Sequence, residues 1–403
     1  MTLSRAQRVT VFGLVGAGHF LSHIYILALP PLFALMKAEL ALSYAALGLL
    51  VTVFHISTGG MQIPAGFLVD RIGARTTLLL GMFTVAVAIG AIGLVESYWA
   101  MLVLVAIAGV GNSVFHPADY AILSRVVDKK HFGKTFGFHL LAGNLGFAVA
   151  PILMVSLAHW FEWRGAVVAV GGLGVALGVC MLIFGQHLAQ PAREDSDEPG
   201  KPAVSRTFMS PALVVMLVFF ITVALSTAGI QTFSVTILNL HHGVELGVSN
   251  TLLTTFLATG FVGVALGGVV ADRLRRPVIV VAGNMLVATV GVAFLGITSW
   301  SVAFIFLWMA IAGTAVGMMR PARDMMVVAI VPSSATGKAF GFVGTGLSVG
   351  GAIAPVTFGW MIDLGLGGWV FPAAAVCLLA GAFCAIFAER MTQQGKVAPD
   401  PAT

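Results

Sequence analysis

Titratable side chains lie inside long apolar stretches of this sequence, where a charge is expensive and marks a functional candidate. His19 and His23 are four residues apart and fall on one helix face, and His116 and Asp119 lie three apart in a later stretch. Histidine has an ordinary pKa of about 6.5, so a modest pH difference changes its charge. We therefore expect Asp119 and His116 to couple protons, and His19, His23 and His116 to contact a substrate.

Two arginines, Arg320 and Arg323, lie at an offset of 204 residues from His116 and Asp119. Arginine stays charged, and its forked donors match the oxygens of a carboxylate or phosphonate. We expect Arg320, and with it Arg323, to bind an anionic substrate. The alternative is a static ion pair between Asp119 and one arginine, which would only fix the fold.

The histidines also allow a second class of cargo. Imidazoles at positions i and i+4 can share a transition-metal ion, so a copper or zinc permease using His19 and His23 is conceivable. Four methionines crowd the segment around Arg320: Met318, Met319, Met325 and Met326. The nearby arginines would repel a cation, so we expect an organic solute and no resident metal or cofactor. His55 is interpreted as a packing residue, and His139 is placed toward a helix end without a role.

The elements that must position these residues are membrane spans. Of the 403 residues 59% are hydrophobic and only 9% are charged, and the mean hydropathy is +1.01, which excludes a water-soluble globule. A span needs about 20 apolar residues. Polar breaks predict an all-α protein with twelve spans, at about 9–35, 43–67, 76–95, 99–123, 135–159, 165–186, 211–238, 248–270, 277–297, 301–325, 338–361 and 368–388.

The distribution of Lys and Arg predicts the orientation of these spans. Nearly all of them fall in loops on the side of the termini, whereas Lys37 and Arg164 lie opposite. By the positive-inside rule both termini are cytoplasmic, in a multi-pass protein of a bacterial inner membrane. The basic residues are too scattered for a nucleic-acid surface. A charged, Pro- and Gly-containing linker at 190–210 separates two predicted six-helix bundles, 1–189 and 211–403.

The two halves repeat each other in sequence. At one offset of 204, Ala106–Gly109 recurs as Ala310–Gly313, Pro117 as Pro321, and Pro151 as Pro355. Both copies have the same orientation. Such parallel repeats are the plan of transporters in which a midplane site lies between two halves that rock against each other.

The loop after the second span reads GFLVDRIGAR from Gly66 to Arg75. It resembles the G-x-L-x-D-R-x-G-R-[KR] signature of the major facilitator superfamily, and a weaker copy runs from Gly268 to Arg273. The resemblance implies alternating access by a monomer embedded in the bilayer. It also implies that Asp70 and Arg71, with Asp272 and Arg273 in the copy, are gating residues. Spans one, four, seven and ten would line a central cavity, so that the histidines and arginines would face one another.

Within the superfamily, the segments Gly111–Pro117 and Gly137–Pro151 resemble the branch that contains fosmidomycin-resistance exporters. This resemblance favours efflux of a small anionic or drug-like molecule by proton antiport, as in drug resistance. A proton-coupled organic-anion importer is the alternative. The sequence carries no nucleotide loop and no nucleophile with a base, so we do not expect an enzyme. A transport-dead sensor would be expected to have lost the buried charges.

Overall fold

The computed structural model describes residues 4–127, 132–188, 210–274, 276–296, 300–332 and 335–397. These residues are almost entirely helical, and they include eleven helices long and apolar enough to cross a membrane. The chain divides into two compact units, Met1–Ser196 and Asp197–Thr403. The linker predicted at 190–210 lies, except for Ser210, outside the described residues.

Seven helices form the first unit. A capping box at Ser4 and a side-chain cap at Ser43 begin two of them. The helices are α1 (Arg5–Ile26), α2 (Phe33–Leu40), α3 (Tyr44–Ile72), α4 (Ala74–Ile92), α5 (Tyr98–Asn112), α6 (Phe115–Val126) and α7 (Phe132–Phe184).

Helix α7 is the reason why twelve predicted spans correspond to eleven candidate helices. It has 53 residues and contains Glu162 with non-helical backbone angles, φ 58° and ψ 174°. A continuous helix of this length would extend about 80 Å, more than twice the hydrocarbon core. The break at Glu162 falls between the predicted spans 135–159 and 165–186. The two parts of α7 therefore correspond to these two predicted spans.

The fourth predicted span is also interrupted. A turn at Ser113 and Val114 separates α5 from α6. Pro117 lacks the N–H that would bond to the carbonyl of Ser113 four residues earlier, and its ring crowds that carbonyl. The hydroxyl of Ser113, at the end of α5, donates to the carbonyl of Val110, at 2.7 Å. The proline thus explains where the helix ends and restarts.

Six helices form the second unit: α8 (Pro211–His242), α9 (Leu246–Leu274), α10 (Pro277–Leu295), α11 (Val302–Ile330), α12 (Thr336–Asp363) and α13 (Val370–Val397). Adding 204 to the ends of the α5–α6 pair gives the ends of α11. Helix α11 nevertheless stays unbroken, although Pro321 lies inside it. Large apolar side chains are exposed along most helices of both units, as a lipid-facing surface requires.

Candidate functional site

The carboxyl of Asp119 is the centre of a buried polar cluster in the first unit. Asp119 lies on α6 and is fully buried. Its Oδ2 is 3.5 Å from Nδ1 of His19 on α1 and 3.6 Å from Nε2 of His139 on α7. Three helices therefore bring one acid and two imidazoles to a single point.

Two more histidines complete this group, which we call the histidine cluster: His19, His23, His116 and His139 with Asp119. The rings of His19 and His139 stack with centroids 3.7 Å apart. The ring of His23 is 4.6 Å from that of His19, and the ring of His116 is 5.1 Å from it. The substrate and proton residues predicted in the first unit, His19, His23, His116 and Asp119, thus all belong to this cluster.

The polar atoms of the cluster are poorly satisfied. Among the described residues, both carboxyl oxygens of Asp119, both ring nitrogens of His19 and of His139, and Nδ1 of His116 are buried without a hydrogen-bond partner. Burying a carboxylate without a partner is costly, and an adjacent positive charge offsets that cost. A proton shared between Asp119 and an imidazole, or a bound cation, would supply the missing charge.

Glycines on α7 allow this close approach. A Cβ on Gly143 would lie 2.7 Å from Nε2 of His19 and 2.8 Å from the His23 ring. Gly146, one turn later, lies against the backbone of Phe20. Because only hydrogen fits at these positions, the α7 backbone packs directly over the imidazoles of α1.

A metal ion would find donors in this cluster. One ligand atom each from His19, His116 and His139 lies within 4.8 Å of the others, and imidazole nitrogen is a common zinc ligand. The sequence pattern paired His19 with His23 for this role. In the structure the set of donors comes from three helices instead of one.

The predicted anion-binding residues lie in the second unit, on α11. Arg320 is half-buried. Arg323 donates from Nε to Oδ1 of Asp324 at 2.8 Å, and its guanidinium lies over the ring of Phe220, 4.4 Å from the centroid. The fork of Arg323 is therefore already engaged within its own unit.

The sequence profile of the Major Facilitator Superfamily matches residues 15–308 and, in a second match, residues 219–402. The chain belongs to this superfamily. Members share the parallel-repeat plan predicted from the offset of 204. The family and the helical architecture confirm the predicted fold class and identify the chain as a multi-pass membrane transporter, not an enzyme.

Individual relatives support the same assignment. The probable L-galactonate transporter of Escherichia coli K12 is 32% identical over 145 residues, which is 36% of this chain and 32% of that protein. The fosmidomycin resistance protein of the same strain is 22% identical over 370 residues, 88% of this chain and 89% of that protein. A bacterial homologue of the lysosomal transporter Spinster, solved inward-facing and unoccupied, superposes with a TM-score of 0.79 at 18% identity, over 99% of this chain and 100% of that one.

The signature loops of this major facilitator lie at helix ends. Asp70 and Arg71 are exposed in the last turn of α3, which ends at Gly73 with φ 88°. Asp272 and Arg273 are likewise exposed in the last turn of α9. Their exposure leaves these side chains accessible, and their gating role stays a prediction.

The sequence interpretation missed one residue of the histidine cluster, His139, and one neighbour of the cluster, Tyr120. His139 was interpreted as a helix-end residue, yet it is buried beside Asp119. Tyr120 was not singled out, and its ring is 5.8 Å from that of His139. The available signal was helical spacing: His139, Gly143 and Gly146 are at i, i+4 and i+7 and so share one face of α7.

Proposed function

We propose that this protein is a proton-coupled transporter of a small organic anion, and that the histidine cluster is its proton site. The observation that carries the proposal is the fully buried Asp119 between His19 and His139, with ion-pair distances of 3.5 and 3.6 Å. A buried acid surrounded by imidazoles changes its net charge by one when a proton arrives. In a low-dielectric site such a change strongly favours one conformation over another.

His116 and Asp119 hold the transported proton in this scheme, and His19, His23 and His139 share its charge. The cluster draws on α1, α6 and α7, so any movement among these helices alters the distance between the acid and its imidazoles. Protonation and conformation are then linked, as alternating access requires.

Arg320 binds the anion, with Arg323 as its neighbour on the same helix. This assignment is supported by the chemistry of the guanidinium fork, and by a relative named for L-galactonate, an organic acid. Asp70 and Arg71, with Asp272 and Arg273, are the gating residues. The protein works as a monomer in the bacterial inner membrane with both termini in the cytoplasm, and we favour export by antiport over import on the resemblance to the fosmidomycin-resistance branch.

The test is proton flux in proteoliposomes that contain the purified full chain. L-galactonate and fosmidomycin are added as probes, and an internal pH dye reports proton movement. We expect substrate-induced flux in the wild type and pH-independent exchange in Asp119→Asn. Arg320→Ala should lose anion transport, whereas the matched variant Arg390→Ala, which removes an exposed arginine of α13, should retain it. Wild-type pH profiles in both Asp119→Asn and His116→Ala would contradict the proton role.

One observation favours a second candidate, a transition-metal ion as cargo. The three imidazoles of His19, His116 and His139 are close enough to share an ion. Zinc and copper ions are therefore included in the same flux experiment. Metal uptake that disappears in His116→Ala, without any response to the organic anions, would replace the organic-anion proposal.

A further inference from the structure

A cavity of about 420 Å³ lies beside the histidine cluster, within the first unit. Helices α1, α6 and α7 form its walls, with Phe12, Val15, Leu123 and Phe138 among the apolar lining residues. The polar side chains in the lining are those of Thr135 and His139. The cavity volume falls within the range of small-molecule sites.

Two glycines of α1 create much of this space. Gly13 and Gly16 line the cavity, and a Cβ built on either would meet no atom within 4 Å. Glycine is therefore not required at these positions by close packing, in contrast to Gly143 and Gly146. A larger side chain at Gly16 would occupy the open space without displacing a neighbour.

His139 belongs to both the cavity and the cluster. It is 3% exposed, its two ring nitrogens have no hydrogen-bond partner among the described residues, and Nε2 faces Asp119 at 3.6 Å. A buried imidazole in a wall whose only other polar side chain, among the described lining residues, is Thr135 is a suitable partner for one acidic group. The remaining wall is suited to an apolar body, and a cavity of about 150 Å³ already accepts benzene.

We propose that this cavity binds the apolar body of an amphipathic organic acid, whose carboxylate pairs with His139 in the first unit, in addition to the contact proposed for Arg320 in the second unit. The inference rests on the proposed function, because it names the substrate class of the same proton site. It favours monocarboxylic acids with an aromatic or alkyl body over polyhydroxy acids. The carboxylate competes with Asp119 for His139, so binding of the acid and occupancy of the proton site are linked.

The experiment is calorimetric binding to the purified full chain with three probes: 4-phenylbutyrate, 4-phenylbutanol and butyrate. The alcohol keeps the ring but lacks the carboxylate, and butyrate keeps the carboxylate but lacks the ring. We expect saturable binding of 4-phenylbutyrate and about tenfold weaker binding of each of the other two. Equal binding of 4-phenylbutanol would reveal a general apolar groove, such as one for a lipid chain, and would overturn the proposal.

Variants locate the binding site. Gly16→Leu fills the cavity and should weaken 4-phenylbutyrate binding about tenfold. Gly172→Leu, on a position of α7 that is equally open but outside the cavity lining, should bind like the wild type. Gly13→Leu replaces Gly16→Leu if the latter does not fold. His139→Gln should weaken binding of the acid and leave the alcohol unchanged. Wild-type affinity in a folded cavity-filling variant would contradict the site.

The two proposals can fail separately. If 4-phenylbutyrate binds as expected but Asp119→Asn has no effect on proton flux, the cavity proposal is supported and the proposed proton role of Asp119 is contradicted. Proton-coupled transport of L-galactonate, without binding of 4-phenylbutyrate, would retain the proposed function and remove this substrate class.

Discussion

The fourth span of the first unit and α11 of the second unit occupy equivalent places in the repeat, yet only the first is broken. Both carry a proline, Pro117 and Pro321, that cannot bond to the carbonyl four residues earlier. In the first unit that carbonyl belongs to Ser113, where the helix stops. In the second it belongs to Gly317, and the helix continues.

Packing explains the difference. Gly317 lies directly against the backbone of Gly260 on α9, and Gly313 lies against Phe256 in the same way. In the first unit Gly109 packs against Phe54 and Ser57, and the hydroxyl of Thr58 donates to the Gly109 carbonyl at 3.1 Å. At the offset of 204, Ser113 stands where the second unit has Gly317. Close packing against α9 therefore accounts for the continuity of α11 across its proline.

The fourth span, with its break, carries the titratable residues His116 and Asp119, and the continuous helix α11 carries the fixed cations Arg320 and Arg323. Helix α6 restarts at Phe115, with His116 in its first turn and Asp119 just after it, where Asp119 reaches His19 of α1 and His139 of α7. In the proposed function, the first of these two repeated segments binds the proton and the second holds a constant charge.

The largest expected effect comes from filling the glycine contact of α11. Gly317→Val places a branched side chain against the Gly260 backbone, and we expect it to lower the free energy of unfolding by about 3 kcal/mol. Thermal unfolding of the purified protein measures this loss. Gly344→Val on α12, where a Cβ meets nothing within 4 Å, is the control and should change stability little. Equal stability of the two variants would show that the close contact between Gly317 and Gly260 does not contribute to the stability of α11.

A smaller loss is expected at the corresponding close approach in the first unit. Gly143→Ala drives a methyl group into His19 and His23, with an expected cost of about 2 kcal/mol and a loss of proton-coupled transport. Gly137→Ala, an open position on the same helix, should preserve both stability and transport. Wild-type proton flux in Gly143→Ala would show that transport does not depend on the positions of the His19 and His23 rings.

Replacing Pro117 tests whether the break between α5 and α6 is needed for proton transport. Pro117→Ala provides an N–H for the Ser113 carbonyl, so we expect a stability gain of about 1 kcal/mol together with reduced proton flux. Hydrogen exchange at Ser113 to Asp119 should slow as the helix becomes continuous. Unchanged exchange and unchanged flux would show that Pro117 does not maintain the break.

The smallest expected effect on stability concerns α11. Arg323→Lys keeps the charge but loses the planar fork that meets Asp324 and Phe220, and we expect a cost of less than about 1 kcal/mol. Anion transport should continue, because Arg320 is the proposed contact. A complete loss of transport in Arg323→Lys would instead assign the anion to Arg323.

The sequence was sufficient to predict the helical spans and four of the five cluster residues, because a polar side chain stands out in an apolar run. His139 was missed because its position near the predicted end of a span left its depth ambiguous, although its spacing to Gly143 and Gly146 places it on the same helix face. Only the crossing of α7 over α1 at Gly143 brings that ring beside Asp119. The continuity of α11 across Pro321 depends on a partner helix that no local pattern specifies.

The most direct test of the account is whether Asp119 binds and releases a proton. Infrared difference spectra of the reconstituted protein, recorded as the pH is changed, detect the carbonyl stretch of a protonated carboxyl group. We expect a band that appears on acidification, is absent in Asp119→Asn and is altered in His139→Gln. An identical set of pH-dependent bands in the wild type and in Asp119→Asn would contradict the role of the cluster as the proton site.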